Sequence, residues 1–470
     1  RERTPSLDTS ERPHKGLLAR FRKFKAIKDC IIKIIFLSLL HKPSIQHYMY
    51  LTRKQSILSL GLTLVLVSCV GREEGLTPSQ QEVNQTMSMS IEERAIDLFA
   101  GICHKGLRDN QSVSLNSIDS TETNTPDTKL YIANFNEGGF LLFRNGGEEQ
   151  MTLLGFSESS SLQLSDAEDN PALKQVISNG VSMAFSDFNK EIIPSPPIIP
   201  GDPNRPPRNP WDEPDIFETV ITSRSKYVKY WFEPQTYQYF NQDSPFNGHI
   251  KDGHLAGCGP IAIATILSHY EKQAGGSQIN WKLLKEKYNS SPKNIDDLQR
   301  ESPGLLFEMQ RLVADTWLYA HILSTESFTM SSRANVANYL KRAGFNVAYQ
   351  HKYDAKEVCT TLKEKHQPFI LMGWSKNEQG KKGHYWVVDG VAQQITKEVG
   401  YTKNKKDGTK TPGEWHIPGK YYIHCTWGWG GHRNGWFNPQ LINKNEGKQD
   451  LRSDHPQGEY YDLWTYFIWL

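Results

Sequence analysis

The 470-residue sequence predicts an α+β protein built in two parts. Three observations carry this reading. A proline-rich break runs from Ile192 to Asp215, two helix patterns flank a run of strand patterns before it, and helices precede a run of strands after it. Helices first and strands later within one domain argue for helices segregated from an antiparallel sheet.

The break itself, "IIPSPPIIPGDPNRPPRNPWDEPD", holds too many prolines for a helix or a central strand. It predicts an extended, exposed tether over 192–215, open to proteolysis. Before it, "SIEERAIDLFAGI" opens with a capping box, Ser90 and Glu93, and sets Ala95, Ile96, Phe99 and Ile102 on one helical face. "KLYIANFNEGGFLLFRN" reads as two strands around a turn at Gly138 and Gly139, "MTLLGFSESSSL" as another strand, and "NPALKQVISNGVSMAFSDFNKEI" as a helix. Residues 88–191 are thus expected to form a small α+β unit with no catalytic constellation of its own.

Residues 216–470 are richer in tryptophan, tyrosine, glycine and histidine. A long helix is expected from Gly257 to about Gln273, with further helices at "INWKLLKEKY" and "SSRANVANYLKRAGF". Beyond Pro368 come strand patterns, "PFILMGW", "HYWVVDGV", "KYYIHCTWGW" and "YDLWTYFIWL".

The front of the chain reads differently. Residues 1–48 precede the first methionine, Met49, and are expected to lie upstream of the start. Residues 49–69 place Arg53 and Lys54 ahead of a short apolar run ending Leu66-Val67-Ser68-Cys69, the order of an export signal. Those last four residues resemble a bacterial lipobox, which would make Cys69 a lipid anchor to the membrane. Arg72-Glu73-Glu74 resembles an acidic surface-export signal of bacterial lipoproteins. Export to the outer membrane or cell surface is therefore expected, with release of the C-terminal part once the tether is cut.

Without the residues ahead of Cys69, the formal balance of 54 Lys/Arg and 52 Asp/Glu becomes 41 basic against 48 acidic. No global basic field remains for a nucleic-acid partner. The sequence contains no His-Glu-x-x-His helix, no paired Cys-x-x-Cys and no Gly-x-x-x-x-Gly-Lys loop, so neither metal nor other cofactor is expected. Of the later cysteines, Cys359 and Cys425 are compatible with one bridge in an exported protein.

Cys258 stands apart. In "HLAGCGPIAIATIL" it lies between Gly257 and Gly259, with Pro260 tolerated only in a first helical turn. Partial positive charge and free N–H groups at a helix start favour a thiolate. A base is then required, and His384 in "KKGHYWVVDG" opens an apolar strand where it can face a cleft. Gln242, sixteen residues before Cys258, has an amide able to donate to an oxyanion. "CTWGWGGHRNGWFNP" describes a rigid aromatic loop carrying Thr426, Trp427 and Trp429, while Trp374 and Trp436 are expected to line a substrate groove. Asp389, five residues along the strand from His384, faces the other side and receives no role.

Taken in order, these segments resemble the streptopain family of cysteine peptidases. "FNQDSPFN" is similar to its Asn-Gln-x-x-Pro-Tyr-Asn region, "GCGPIAIATILSHY" to its nucleophile helix, "GHYWVVDG" to its base strand and "TWGWGGHRNGWF" to its Asn-Trp-Gly-Trp-Gly-Gly signature. The resemblance covers about residues 225 to 470 and implies a papain-like cysteine peptidase domain, a helical part plus an antiparallel sheet. More faintly it makes 88–191 a prodomain that inhibits its own chain.

It further implies Cys258 as nucleophile, His384 as base and then acid, Gln242 and the Cys258 N–H as oxyanion hole, and Trp427 as a shield over the histidine. Thr426 replaces the family's Asn and is expected to accept the histidine N–H in its stead. Protein or peptide substrates follow. Two other readings use the same residues: a cysteine amidase acting on cell-wall peptides, and a surface lipoprotein that binds polypeptides through a degenerate site.

Overall fold

The computed structural model describes residues 89–102, 113–146, 149–167, 170–183, 217–291, 293–325, 329–350, 353–375, 383–442 and 461–470. The leader with Cys69 and the tether 192–215 fall outside the described residues.

In chain order the elements are α1 (Ile91–Ile102), β1 (Leu115–Glu122), β2 (Thr128–Phe135), β3 (Phe140–Gly146), β4 (Glu149–Ser157) and α2 (Pro171–Ser182) in the N-terminal part. Then come β5 (Phe217–Phe232), α3 (Cys258–His269), α4 (Trp281–Tyr288), α5 (Asn294–Glu301), α6 (Pro303–Ala320), β6 (His321–Ser324), β7 (Thr329–Ser331), α7 (Arg333–Arg342), β8 (Asn346–Gln350) and α8 (Ala355–Lys365). The chain closes with β9 (Phe369–Ser375), β10 (Gly383–Asn404), β11 (Lys410–Thr426), β12 (Gly435–Phe437) and β13 (Tyr461–Trp469). The α+β arrangement expected from the sequence is what forms, with the strands paired antiparallel.

Local chemistry explains the N-terminal elements. The capping box at α1 closes both ways: Ser90 N–H donates to Glu93 at 2.8 Å, and Glu93 N–H to the Ser90 hydroxyl at 3.1 Å. Asn170 caps α2 through its side chain, and Pro171 fills the first turn. Between β2 and β3 the chain turns through Gly138 and Gly139, with φ of 92° and 93°. A Cβ on Gly139 would stand 2.4 Å from the Ser157 carbonyl oxygen, so only glycine lets the hairpin close against α1.

The sheet runs β1-β2-β3-β4-β12-β11-β10-β9-β13-β8, with β5 paired to β10. Sequence reading separates residues 88–191 from the rest, yet β4 hydrogen-bonds to β12 through Phe156 with Trp436 and Gly155 with Phe437. One apolar cluster joins Leu130, Leu154 and Val176 from before the tether to Leu362, Trp386 and Phe437 from after it. The two parts share a sheet and a core.

A second cluster is built around α3, in which every residue from Gly259 to Ser268 is buried. A helix that is enclosed on all sides is a core helix. It ends at His269 and not near Gln273, because Glu271 turns left-handed (φ 52°) and Lys272 N–H returns to the Leu267 carbonyl at 3.0 Å. Strands β10 and β11 are also far longer than their apolar stretches. Past Ile395 their outer halves pair with each other and with β5, carrying few buried side chains and hence little hydrophobic signal.

Candidate active site

Cys258 is the first residue of α3. Gly257 before it adopts φ 81° and ψ 154°, and a Cβ there would stand 2.7 Å from the Thr329 Cβ. Gly259 after it is equally confined, since its Cβ would lie 2.5 Å from the Ser331 hydroxyl. The two glycines therefore let β7 close over the start of the helix and leave Cys258 as the side chain at that point. Cys258 keeps partial solvent exposure. Burial of the thiol nonetheless pushes its pKa above the ordinary value, against the pull of the Tyr385, Cys258 and Gly259 backbone N–H groups. The helix start acts in the direction expected from sequence, but enclosure outweighs it in the resting protein.

Gln242 is tied to the same place. The Ala256 N–H, two residues before the nucleophile, donates to its carbonyl at 2.7 Å. On its other side Asn241 bridges Trp429, and Gly430 N–H reaches the Phe240 carbonyl at 3.0 Å. Gln242 is a largely buried residue, and its side-chain amide has no hydrogen-bond partner among the described residues and keeps access to solvent. An amide left in that state is available to a ligand oxygen.

His384, on β10 opposite Gly373 of β9, is 3% exposed. Its Nε2 lies 2.9 Å from the Trp427 carbonyl oxygen. A carbonyl only accepts, so Nε2 carries the proton and Nδ1 is left as the basic nitrogen. Burial pushes the imidazole down to about 4, with the Trp427 carbonyl pulling the other way. The ring lies nearly parallel to Trp386 and to Trp429, at 6.3 and 6.1 Å. Tyr385, whose N–H reaches the Cys258 thiol, is the next residue, so this end of β10 carries both the imidazole and a backbone donor to the nucleophile.

The loop that holds His384 is itself held. Trp427 N–H donates to Asn434 Oδ1 at 3.0 Å, and its indole N–H to the Arg433 carbonyl at 2.9 Å. Asn434 in turn donates to the Gln238 carbonyl at 3.2 Å. Gly431 turns at φ 84°, and a Cβ there would stand 2.2 Å from the Tyr239 ring. From before the tether, the Ser160 hydroxyl donates to the Gly431 carbonyl at 2.7 Å and Asp166 pairs with Arg433 at 2.9 Å.

Cysteine at a helix start, a tautomer-fixed histidine on a strand packed against that helix and an amide tied by its backbone to the residues before the cysteine are the parts of a thiol peptidase site. The model of the Peptidase C10 family matches residues 237–437. This segment is a cysteine-type peptidase domain of the streptopain family. The match opens at Tyr237 and closes at Phe437, so it takes in Gln242, Cys258, His384 and the aromatic loop together. No curated protein matches the chain.

Several site expectations change with the geometry. The Thr426 hydroxyl donates to Asp389 at 3.2 Å, and it is the Trp427 carbonyl that receives the His384 N–H. The reason is strand alternation: Thr426 points to the face away from Trp386 and His384. The Trp427 ring is fully buried against Trp386 and Phe437, so the indoles beside His384 are those of Trp386 and Trp429. Trp436 does not line a groove; it is buried between Phe156, Tyr230 and His424. Cys359 and Cys425 are both buried free thiols. Asn434 and Tyr385 carry no strong sequence signal for these contacts, the polar residue inside the glycine-rich "HRNGWF" being the one pointer to the first.

Proposed function

We propose that the protein is an exported cysteine endopeptidase made as a zymogen, with Cys258 and His384 as its working pair. The reading rests above all on the His384 Nε2–H bond to the Trp427 carbonyl, which leaves Nδ1 as a base beside the segment that touches the thiol. In the reaction, Nδ1 takes the Cys258 proton as the thiolate attacks a peptide carbonyl carbon. The oxyanion receives hydrogen bonds from the Gln242 amide and the Cys258 N–H. As the C–N bond breaks, His384 returns the proton to the departing amine, and water then attacks the acyl-enzyme with the same imidazole as base.

The resting pair is neutral on both sides, with the thiol raised and the imidazole lowered. Proton transfer therefore belongs to the substrate-bound state, where the oxyanion donors draw the charge off the sulfur. Residues 88–191 act as the prodomain in this proposal, and the contacts of Ser160 and Asp166 with the aromatic loop support a direct line from it to the base. Cleavage within 192–215 would activate or release the enzyme, and lipidation of Cys69 would hold the prodomain at the membrane.

The test is a time course of the purified protein beside Cys258→Ala, following self-processing and casein hydrolysis with N-terminal sequencing of the products. Trimming near the tether and casein digestion by the parent alone are expected. Two inert proteins, even after an added protease has cut the tether, would sink the proposal.

A further inference from the structure

Behind the loop that holds His384 lies a buried polar cluster that the proposed reaction does not use. Asp389 is fully buried on β10, at the bulge where pairing with β11 slips between Val388 and Gly390. Its Oδ1 lies 2.7 Å from His424 Nδ1, and its Oδ2 receives the Thr426 hydroxyl at 3.2 Å and the Thr236 hydroxyl. His269, at the end of the nucleophile helix, also faces it and is pushed down to about 4 by burial, with Lys285 beyond. A carboxyl group taken wholly out of water is tolerable only with donors of this number. Replacing such a group by apolar side chains often leaves stability unchanged or improved, so what this cluster supplies is directed bonds more than stability.

That job is visible in the chain of bonds. Thr426, tied to Asp389, immediately precedes Trp427, and Gly428 after it turns at φ 78°. The Trp427 carbonyl is thus anchored from one side by Asp389 through Thr426 and from the other by Asn434 and the Arg433 carbonyl. We infer that Asp389 is a positioning residue for the base: through the Thr426 hydroxyl it orients the Trp427 carbonyl that fixes the tautomer and ring plane of His384. Thr426 then serves the site from the far face of the strand, by orienting the acceptor of the His384 N–H rather than being that acceptor. The inference rests on His384 being the base of the proposed reaction.

The experiment compares Thr426→Val, Thr426→Ser and Asp389→Asn with the parent. Three readouts are taken: kcat and KM on a fluorogenic peptide, the pH profile of Cys258 alkylation by iodoacetamide, and the melting temperature. Thr426→Val and Asp389→Asn are expected to lower kcat about tenfold or more with KM within about twofold, and to slow alkylation at neutral pH in parallel. Thr426→Ser, which keeps the hydroxyl, should recover the rate to within about threefold. Loss of melting temperature with unchanged kcat and alkylation would overturn the inference, as would a Ser variant no better than Val. If Asp389→Asn does not fold, the Thr426 pair decides alone. A parent that alkylates at Cys258 but cleaves no peptide sinks the proposed function, while the alkylation profiles still decide this inference.

Discussion

The two halves of the candidate site are supported in different ways. On the Cys258 side the geometry is local: two glycines, a proline in the first turn and a fully buried helix set the thiol within a dozen residues of chain. On the His384 side it is assembled from afar. The proton on Nε2 is held by Trp427, Trp427 by Asn434, the loop by Tyr239 and Gln238, and the loop again by Ser160 and Asp166 from beyond the tether. A nucleophile can be placed by backbone alone because its demand is for N–H groups and access. A base needs one tautomer and one ring plane, and these require partners.

The largest effect should come from removing the nucleophile. Cys258→Ala is expected to lower peptidase activity at least about 10³-fold, with an unchanged melting temperature since the site is at the helix start and partly exposed. Residual activity within tenfold of the parent would remove Cys258 from its role.

Next come the glycines, one for each half. Gly257→Ala meets both a positive φ and Thr329, and Gly431→Ala both a positive φ and the Tyr239 ring. Each should cost more than about 1 kcal/mol of stability. They should separate on function: the first alters Cys258 alkylation, whereas the second also loosens the N-terminal part, read by limited proteolysis. Identical profiles for the two would erase the contrast drawn above.

Gln242→Ala should lower kcat about a hundredfold with little change in KM, the signature of a donor used in the transition state. An equal rise in KM would make Gln242 a ground-state contact.

Acid should weaken both sides, through His384 on β10 and His269 at the end of α3. His384 and His269 sit at about 4 in the folded protein against 6.5 for a free imidazole. Between those values the unfolded chain binds more protons, so stability falls as pH drops from 6.5 towards 4, by up to about 1.4 kcal/mol per pH unit for each histidine. Urea unfolding at pH 7 and pH 5 measures this, and His384→Gln should flatten the dependence. The smallest effect is expected at Ser160→Ala, about 1 kcal/mol from one buried hydrogen bond, seen in the same unfolding curves.

Much of this was legible beforehand because its causes are local. The capping box at Ser90 and Glu93, the glycine turn at Gly138 and Gly139, the four C-terminal strands and the start of the nucleophile helix follow from side-chain chemistry over a few residues. Motif order sufficed to place the family. What resisted reading had causes distant in sequence. The end of α3 depends on a left-handed Glu271, and the length of the β10–β11 arm depends on pairing with β5 and not on an apolar face.

By itself, then, the sequence determined the α+β class, the helix start with its cysteine, and the strand that opens with His384, since residue types and periods of 2 and 3.6 specify these directly. Only the tertiary structure decided that Trp427 offers a carbonyl where a shielding ring was expected, and that Trp386 and Trp429 lie beside the imidazole. Tertiary structure likewise turned Thr426 towards Asp389 and ran the sheet unbroken from β4 into β12. The physical reason is one of range. A hydrogen-bond acceptor has a direction, and in this loop that direction is set by glycine turns and by partners drawn from residues as far apart as Ser160, Gln238 and Asp389.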